Sequence, residues 1–221
     1  MNVREAVASR FSARAYLDSA VDPGIIRRVL EEATHAPSGG NLQPWHVHVL
    51  TGKILEDFRN QIATLSESNL FGGESEYEIY PPNLSEPFRS RRYKCGEDLY
   101  KAIGIPRDDR PARLRQYANN LRFFGAPVGI FFSIERFMDS NQWAHVGMFM
   151  QTIMLLAREE GLHTCPQECW ASWQKEVSEF LELPEDQMLY CGMAMGYADE
   201  EHPINNWRTE RESLDKLVKF Y

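Results

Sequence analysis

The first stretch with chemical potential is "SRFSARAYLD", which carries Arg10, Ser12 and Arg14. In an extended run, positions 10, 12 and 14 face the same way, because side chains alternate along a strand. Two guanidiniums and a hydroxyl on one face suit a phosphate or another planar anion. The guanidinium fork makes paired, charge-assisted bonds to such groups. Without further context the same pattern describes a solvated basic edge.

A second stretch, "HAPSGGNLQPWHV" from His35 to Val47, is overbuilt for a connector. Gly39 and Gly40 let backbone come close to a ligand. Ser38, Asn41 and Gln43 supply hydroxyl and amide groups, while Pro37 and Pro44 stiffen the frame. No Gly-Lys-Ser/Thr follows, so this is not a phosphate-cradling P-loop. It reads either as a loop that hydrogen-bonds a flat, polar ligand along its edge or as a structural connector between helix and strand. Later, "HTCPQECW" places Pro166 and Gln167 after a strand, so Glu168 and Cys169 offer backbone N–H groups from a turn. "NNWRTERESLD" adds Arg208 and Arg211, which alone would be assigned to solvent.

Metal chemistry is not expected. Cys165, Cys169 and His163 are close in sequence, but their spacing fits no common zinc pattern. His46 and His48 share one strand face and read as polar positions on a half-buried strand.

These groups need elements to carry them. Residues 2–9 predict a short helix. Asp22 is a good N-cap and Pro23 suits the first helical turn. Ile25, Ile26, Val29, Leu30 and Ala33 follow at helical spacing, and Pro37 stops that helix near Ala36. "HVHVL" alternates as a strand does. A helix from about Ile54 to Ser66 comes next. Residues 67–107 look different, with Gly72-Gly73, Pro81-Pro82, Pro87 and the basic cluster Arg89, Arg91, Arg92 and Lys94. They predict a mostly irregular lid with a short helix at Glu97–Ile103. Its aromatics Phe71, Tyr77, Tyr80, Phe88 and Tyr93 argue against disorder. Arg113 to Phe124 reads as helix, "APVGIFFSI" as a buried strand, and 141–161 as a long helix apolar nearly all round. Gly161 stands where a left-handed C-cap belongs. Trp173–Leu183 is a further helix and "MLYCGMAMGY" a further strand. Helices interleaved with about four strands give an α+β or α/β class.

The chain has 221 residues, which suits one domain. Its 24 basic and 32 acidic residues leave a net charge of −8. That balance argues against broad nucleic-acid or anionic-membrane binding. No segment approaches the ~20 apolar residues of a membrane span, and "MNVREAVASRF" lacks the apolar core of a signal peptide. A cytoplasmic protein is expected. Four cysteines are few for a disulfide scaffold.

"RFSARAY", "APSGGNLQPWHVHVL", "FFGAPVGIFF", "GLHTCPQECW", "LELPEDQMLYCGMAMGYAD" and "NWRTERESLD" together resemble the nitroreductase family of flavoproteins. They occur in the family's order and cover nearly the whole chain outside 67–107. The resemblance implies an α+β fold with a central mixed or antiparallel sheet flanked by helices. It also implies a single domain over 1–221 with a lid insertion at about 67–107, and an interlocked homodimer with two FMN sites built by both chains. Carried over, Arg10, Phe11, Ser12 and Arg14 serve the FMN phosphate and the pyrimidine edge of the ring, and Arg211 with Arg208 completes the phosphate site. Many relatives have Lys near 208–209, where this chain has Arg208. Pro37, Ser38, Gly39 and Asn41 come from the other subunit. Pro166 and Gln167 lead into Glu168 and Cys169, whose N–H groups lie near flavin N5. Asn120, or its neighbour Asn119, contacts the flavin edge. The greasy helix 141–161 becomes a central dimer helix.

The chemistry implied is ping-pong hydride transfer from NAD(P)H through flavin to a nitroaromatic compound, with no catalytic side chain required. Planar aromatic substrates are expected to meet the lid at Tyr80, Phe88, Arg89 and Tyr93, with Arg91 and Arg92 as further candidates. An alternative on the same fold is reductive dehalogenation of halotyrosines, in which relatives clamp the amino acid with Glu, Tyr and Lys of the lid. Here Glu86, Tyr93 and Lys94 are present, but Tyr and Lys are adjacent, which fits that clamp poorly. The non-enzymatic alternatives are a flavin-binding regulatory protein with weak activity and a flavin-free interaction module.

Overall fold

The computed structural model describes residues 1–221. Helix α1 (Val3–Ser9) starts with a capping box. Asn2 accepts from Glu5 N–H, and the Glu5 side chain accepts from Asn2 N–H in return. Helix α2 (Pro23–Ala33) starts at Asp22, whose carboxylate accepts from Gly24 N–H, as the cap and proline predicted. It ends three residues short of the expected Ala36. Thr34 to Ala36 unwind through turns whose N–H groups donate to Glu31, Glu32 and Ala33 carbonyls.

Strand β1 (His46–Thr51) leads into α3 (Gly52–Ser66), which buries Leu55, Phe58 and Ile62 on one side. The lid departs from its expectation. Helix α4 runs from Phe88 to Ala102, starting nine residues before the short helix expected at Glu97. It buries none of its side chains, so no apolar stripe marks it in the sequence. Ion pairs along its flanks, Arg89–Glu86 and Lys94–Asp98, help to hold it instead. Helix α5 (Arg110–Ala118) is capped by Asp109 and has Pro111 in its first turn. It starts three residues early and stops six short of Phe124. A 3₁₀ segment, Asn119–Gly125, takes over, and within it Phe123 and Phe124 hold φ of 51° and 55°. Such left-handed backbone is uncommon for bulky residues. It lets both rings be buried.

Strand β2 (Val128–Glu135) buries all but its last residue. Helix α6 (Ser140–Glu159) follows, with Gly161 beyond it at φ 74°. Strand β3 (His163–Gln167) contains Pro166 and Gln167, which the sequence placed after the strand. A 3₁₀ turn over Glu168–Trp173 precedes α7 (Gln174–Leu181), so the helix expected over 173–183 is trimmed at both ends. Strand β4 (Gln187–Gly196) completes the sheet, and α8 (Leu214–Leu217) lies in the tail.

The four strands are ordered β1-β2-β4-β3, and every pairing between them is antiparallel. A mixed sheet is therefore excluded for the named strands. The one parallel contact to the sheet is the isolated bridge from Ser12 to Thr164. Side-chain alternation splits the core in two. Val128, Ile130, Phe132 and Ile134 pack with α2 and α6 on one face. Phe131 packs with Phe58, Phe123 and Trp170 on the other. Each such ring contributes about 1.5–3 kcal/mol by burial. A register shift between Phe132 and Ser133 leaves Tyr190 of β4 as the extra residue of a bulge. That bulge matters below.

Candidate functional site

Arg10 closes α1, its N–H donating to Ala6 O at 3.0 Å. The chain then runs extended, with Ala13 fully buried and Ser12 and Arg14 half-buried on the other side. The alternation expected from the sequence is present. Two bonds fix this run. Ala13 N–H donates to Thr164 O of β3 at 3.1 Å, and Arg14 N–H donates to Asn205 Oδ1 at 2.8 Å.

Asn205 brings in the tail. Its amide donates to Ala15 O and Asp199 O, both at 2.8 Å, so the turn Pro203–Asn205 is locked beside Arg14. The chain then delivers Arg208 and Arg211. The Arg208 guanidinium lies 4.0 Å over the Phe11 ring, and Phe11 in turn packs against His163 of β3 at 4.8 Å. A cavity of about 430 Å³ results, lined by Arg10, Phe11, Ser12, Arg14, Arg208 and Arg211 among others. None of the four guanidiniums is paired with a carboxylate. Arg10 is pushed below the usual arginine range by burial first and by Arg211 second. This is an anion cavity without an internal counter-ion.

Strand β3 leads from that cavity to a second one. His163 and Thr164 back Phe11 and Ser12 of the first, while Pro166, Gln167, Glu168 and Cys169 line the second, of about 780 Å³. Along the way the buried side-chain oxygens Thr164 Oγ1 and Gln167 Oε1 have no hydrogen-bond partner. Gln167 spends its amide N–H₂ on Asn120 O at 2.8 Å. Asn120, not Asn119, lines the cavity. The turn that begins at Glu168 opens with N–H groups that have no partner inside it.

The walls of the second cavity are aromatic. Tyr77 stacks near Tyr190 with centroids 6.0 Å apart, and Trp143 meets both edge-on at 5.3 and 5.9 Å. The Tyr77 hydroxyl donates to Tyr190 O. Burial raises the phenols of Tyr77 and Tyr190 and pushes Tyr117 up to about 12, so all three remain O–H donors. Burial also raises the Glu168 carboxyl. Sequence reasoning did not place Tyr117, Trp143 or Tyr190 here. Tyr190 reaches the cavity through the β4 bulge, which no local pattern announces.

Of the lid residues expected to meet substrate, Tyr80 and Arg92 line this cavity, together with Tyr77, Glu78 and Ile79 of the same segment. Arg89 and Tyr93 lie on a separate groove with Pro81 and Pro82, and Phe88 is exposed beneath the Arg91 guanidinium. Lys94 pairs with Asp98 and Glu210, and Glu86 with Arg89, so the carboxylate, phenol and amine of a zwitterion clamp are not assembled.

Pro37, Ser38, Gly39 and Asn41 line neither cavity. Their loop is shaped nonetheless. Gly40, Asn41 and Gln43 all have positive φ, Gln43 N–H donates to Ser38 Oγ at 2.9 Å, and Gly39 N–H donates to His145 Nε2 of α6 at 3.2 Å. Trp45 stacks on Phe149 of the same helix at 4.7 Å.

His46 and His48 bond to Glu135 and Ser133 of the neighbouring strand. No three His, Cys, Asp or Glu side chains converge as metal ligands. No helix is long and apolar enough to cross a membrane.

Known proteins resemble this chain over nearly its whole length. The 4-nitrobenzoate reductase of Pseudomonas putida is 37% identical over 97% of this chain and 93% of its own length. Nitrobenzene nitroreductase of Ectopseudomonas oleovorans is 33% identical over 99% and 96%. Among solved structures, the FMN and NADPH-dependent nitroreductase NfnB from Sphigopyxis sp. strain HMH superposes with a TM-score of 0.97 at 44% identity, covering 100% of this chain and 99% of that one. The FMN-dependent NfnB from Mycobacterium smegmatis, solved with NADPH, gives 0.93 at 28% identity over 99% and 97%. The model of the nitroreductase family matches residues 7–197, and with these relatives it establishes that the chain belongs to the nitroreductase family.

Proposed function

We propose that the protein is an FMN-dependent oxidoreductase that uses NAD(P)H to reduce nitroaromatic compounds. The observation that carries this reading is the pairing of two cavities by β3. One end offers Arg10, Ser12, Arg14, Arg208 and Arg211 without a counter-ion, and the other offers a flat space with aromatic walls. FMN has a matching shape, with a phosphate at one end and a planar ring at the other. The unpartnered oxygens of Thr164 and Gln167 suit a linker that carries hydroxyl groups. Bound here, FMN would supply two-electron hydride chemistry at N5.

The chain's own residues bind and orient. Arg10, Arg208 and Arg211 neutralise the phosphate through charge-assisted bonds. Phe11 holds the Arg208 guanidinium in place by its ring face. Arg14, its backbone N–H fixed by Asn205, lines the anion cavity and would direct positive charge from there toward the pyrimidine edge of a bound ring. The N–H groups of Glu168 and Cys169, at the start of the turn that lines the ring cavity, would serve the reacting edge. Tyr77, Tyr190 and Trp143 narrow the space above and exclude water, so that donor and acceptor stack in turn at the same place.

The functional unit on this reading is a homodimer. The exposed Met148 on α6 and the exposed tail residues Leu214, Leu217, Phe220 and Tyr221 support it. So does the shaped loop 37–41, which has no work to do in its own chain's cavities. All four cysteines are free, which fits a reducing, cytoplasmic setting. The test is direct. Purified protein should be yellow, hold one FMN per chain and oxidise NAD(P)H when a nitroarene is added. Colourless protein that fails to take up FMN would overturn the proposal.

A further inference from the structure

The lid helix α4 carries five cations; three of them are paired with carboxylates, and of the other two, Arg92 and Lys101, only Arg92 lines the aromatic cavity. Arg89 Nε donates to Glu86 at 2.9 Å. Arg91 donates to Glu212 of the tail at 2.8 Å. Lys94 is shared by Asp98 and Glu210. Arg92 has no carboxylate partner. Its guanidinium lies 3.9 Å over the Tyr80 ring, and both side chains line the aromatic cavity.

A guanidinium stacked on a phenol face keeps its in-plane N–H fork free, because the ring occupies only the flat face. Arg92 is therefore held at the rim of the cavity with its donors unspent. The fork matches a carboxylate better than a nitro group, since the bond gains from a full negative charge on the acceptor. Two acids also line the cavity, Glu78 and Glu168. Glu78 is exposed at the rim, where solvent screens it. Glu168 is exposed as well, at the start of its turn, and is screened in the same way.

Resting on the nitroreductase reading, we infer that this site selects arenes bearing a carboxylate, and that Arg92 is the specificity-determining residue that receives it. The aromatic walls take the ring, and Arg92 takes the anionic substituent at the rim. Tyr80 acts as a positioning residue that holds the guanidinium over its ring.

Two measurements on FMN-loaded protein test this. The first is calorimetric binding of benzoate and of benzamide, its neutral isostere. Benzoate should bind more tightly than benzamide to the wild type. Arg92→Ala should weaken benzoate about tenfold and narrow the gap to benzamide, and Arg92→Lys should restore part of the loss. The second is the ratio of kcat/KM for 4-nitrobenzoate to that for nitrobenzene, which should fall about tenfold in Arg92→Ala, mainly through KM for the nitrobenzoate. Benzoate binding that is indifferent to Arg92→Ala, or a ratio that does not move, overturns the inference. Failure of the wild type to reduce any nitroarene would overturn the function proposed above instead, and benzoate binding would still decide the role of Arg92.

Discussion

Asn205 Oδ1 accepts the Arg14 backbone N–H at 2.8 Å, joining residues 191 positions apart. With its amide on Ala15 O and Asp199 O, this one side chain, only 2% exposed, sets the distance between the N-terminal arginines and those of the tail. Asn205→Ala leaves a buried donor and two acceptors unpaired, at about 1–3 kcal/mol each before relaxation. A loss of about 3 kcal/mol in urea unfolding is expected, together with weaker flavin retention. Asn205→Asp keeps the acceptor for Arg14 but sets a buried carboxylate oxygen against the Ala15 and Asp199 carbonyls, so it should lose at least as much. Wild-type stability in Asn205→Ala would remove the clamp from the account.

Arg211 lines the anion cavity and lowers Arg10 by its charge. A charge-assisted bond is worth about 1.5–3 kcal/mol, so Arg211→Ala should weaken FMN binding roughly 10- to 100-fold in a fluorescence titration. Sizing chromatography should show the same oligomeric state as the wild type. Undiminished flavin content would mean that Arg211 does not hold the phosphate.

His163 gives the stability a pH dependence. Burial, then Arg158 and Arg208, push its imidazole down to about 4 from the ordinary 6.5. Arg158 donates to Nδ1 at 3.1 Å, which requires the neutral ring. Below pH 6.5 the unfolded chain takes up a proton that the folded chain refuses until about pH 4. Protons therefore favour unfolding across that window. The contribution, fully present above pH 6.5, should be lost on acidification to pH 4 and amount to about 2 kcal/mol. Comparing denaturation of the wild type and His163→Gln at pH 7 and pH 4.5 checks it. The variant should show the shallower dependence, and equal slopes would assign the effect to other groups.

His145 anchors the loop that carries Pro37, Ser38, Gly39 and Asn41. Its Nε2 accepts from Gly39 N–H, while its Nδ1 is buried without a partner. His145→Ala should cost about 1 kcal/mol of stability and speed hydrogen exchange at 39–43. If the loop serves a partner's flavin, FMN retention should fall as well. Unchanged exchange in the loop would show that its left-handed turns hold without the histidine.

Much of the frame was legible beforehand. The Asp22-Pro23 helix start, the buried strand at 128–134, the C-cap at Gly161 and the alternation of Ser12, Ala13 and Arg14 all follow from rules acting over a few residues. The misread elements share a cause. Helix α4 has no buried face, so hydrophobic periodicity had nothing to detect. Its stability comes from ion pairs, some of them reaching the distant tail. The turn at Phe123 and Phe124 continues directly from α5, with nothing in its sequence to mark where the helix stops before Gly125. Left-handed backbone there places both rings against the second core, and packing outweighed local preference.

The sequence by itself determined the element types, the capping chemistry, the acidic balance and the sets of residues able to bind an anion and a flat ring. Tertiary structure decided which of those residues meet. Arg10 and Arg211 share a cavity, Arg89 and Arg91 are spent on carboxylates, Arg92 is not, and a bulge turns Tyr190 toward the ring space. Hydrogen-bond and periodicity rules act within a turn or two of chain. The availability of a charge depends on every segment that packing brings within a few ångströms of it, and that is a property of the whole fold.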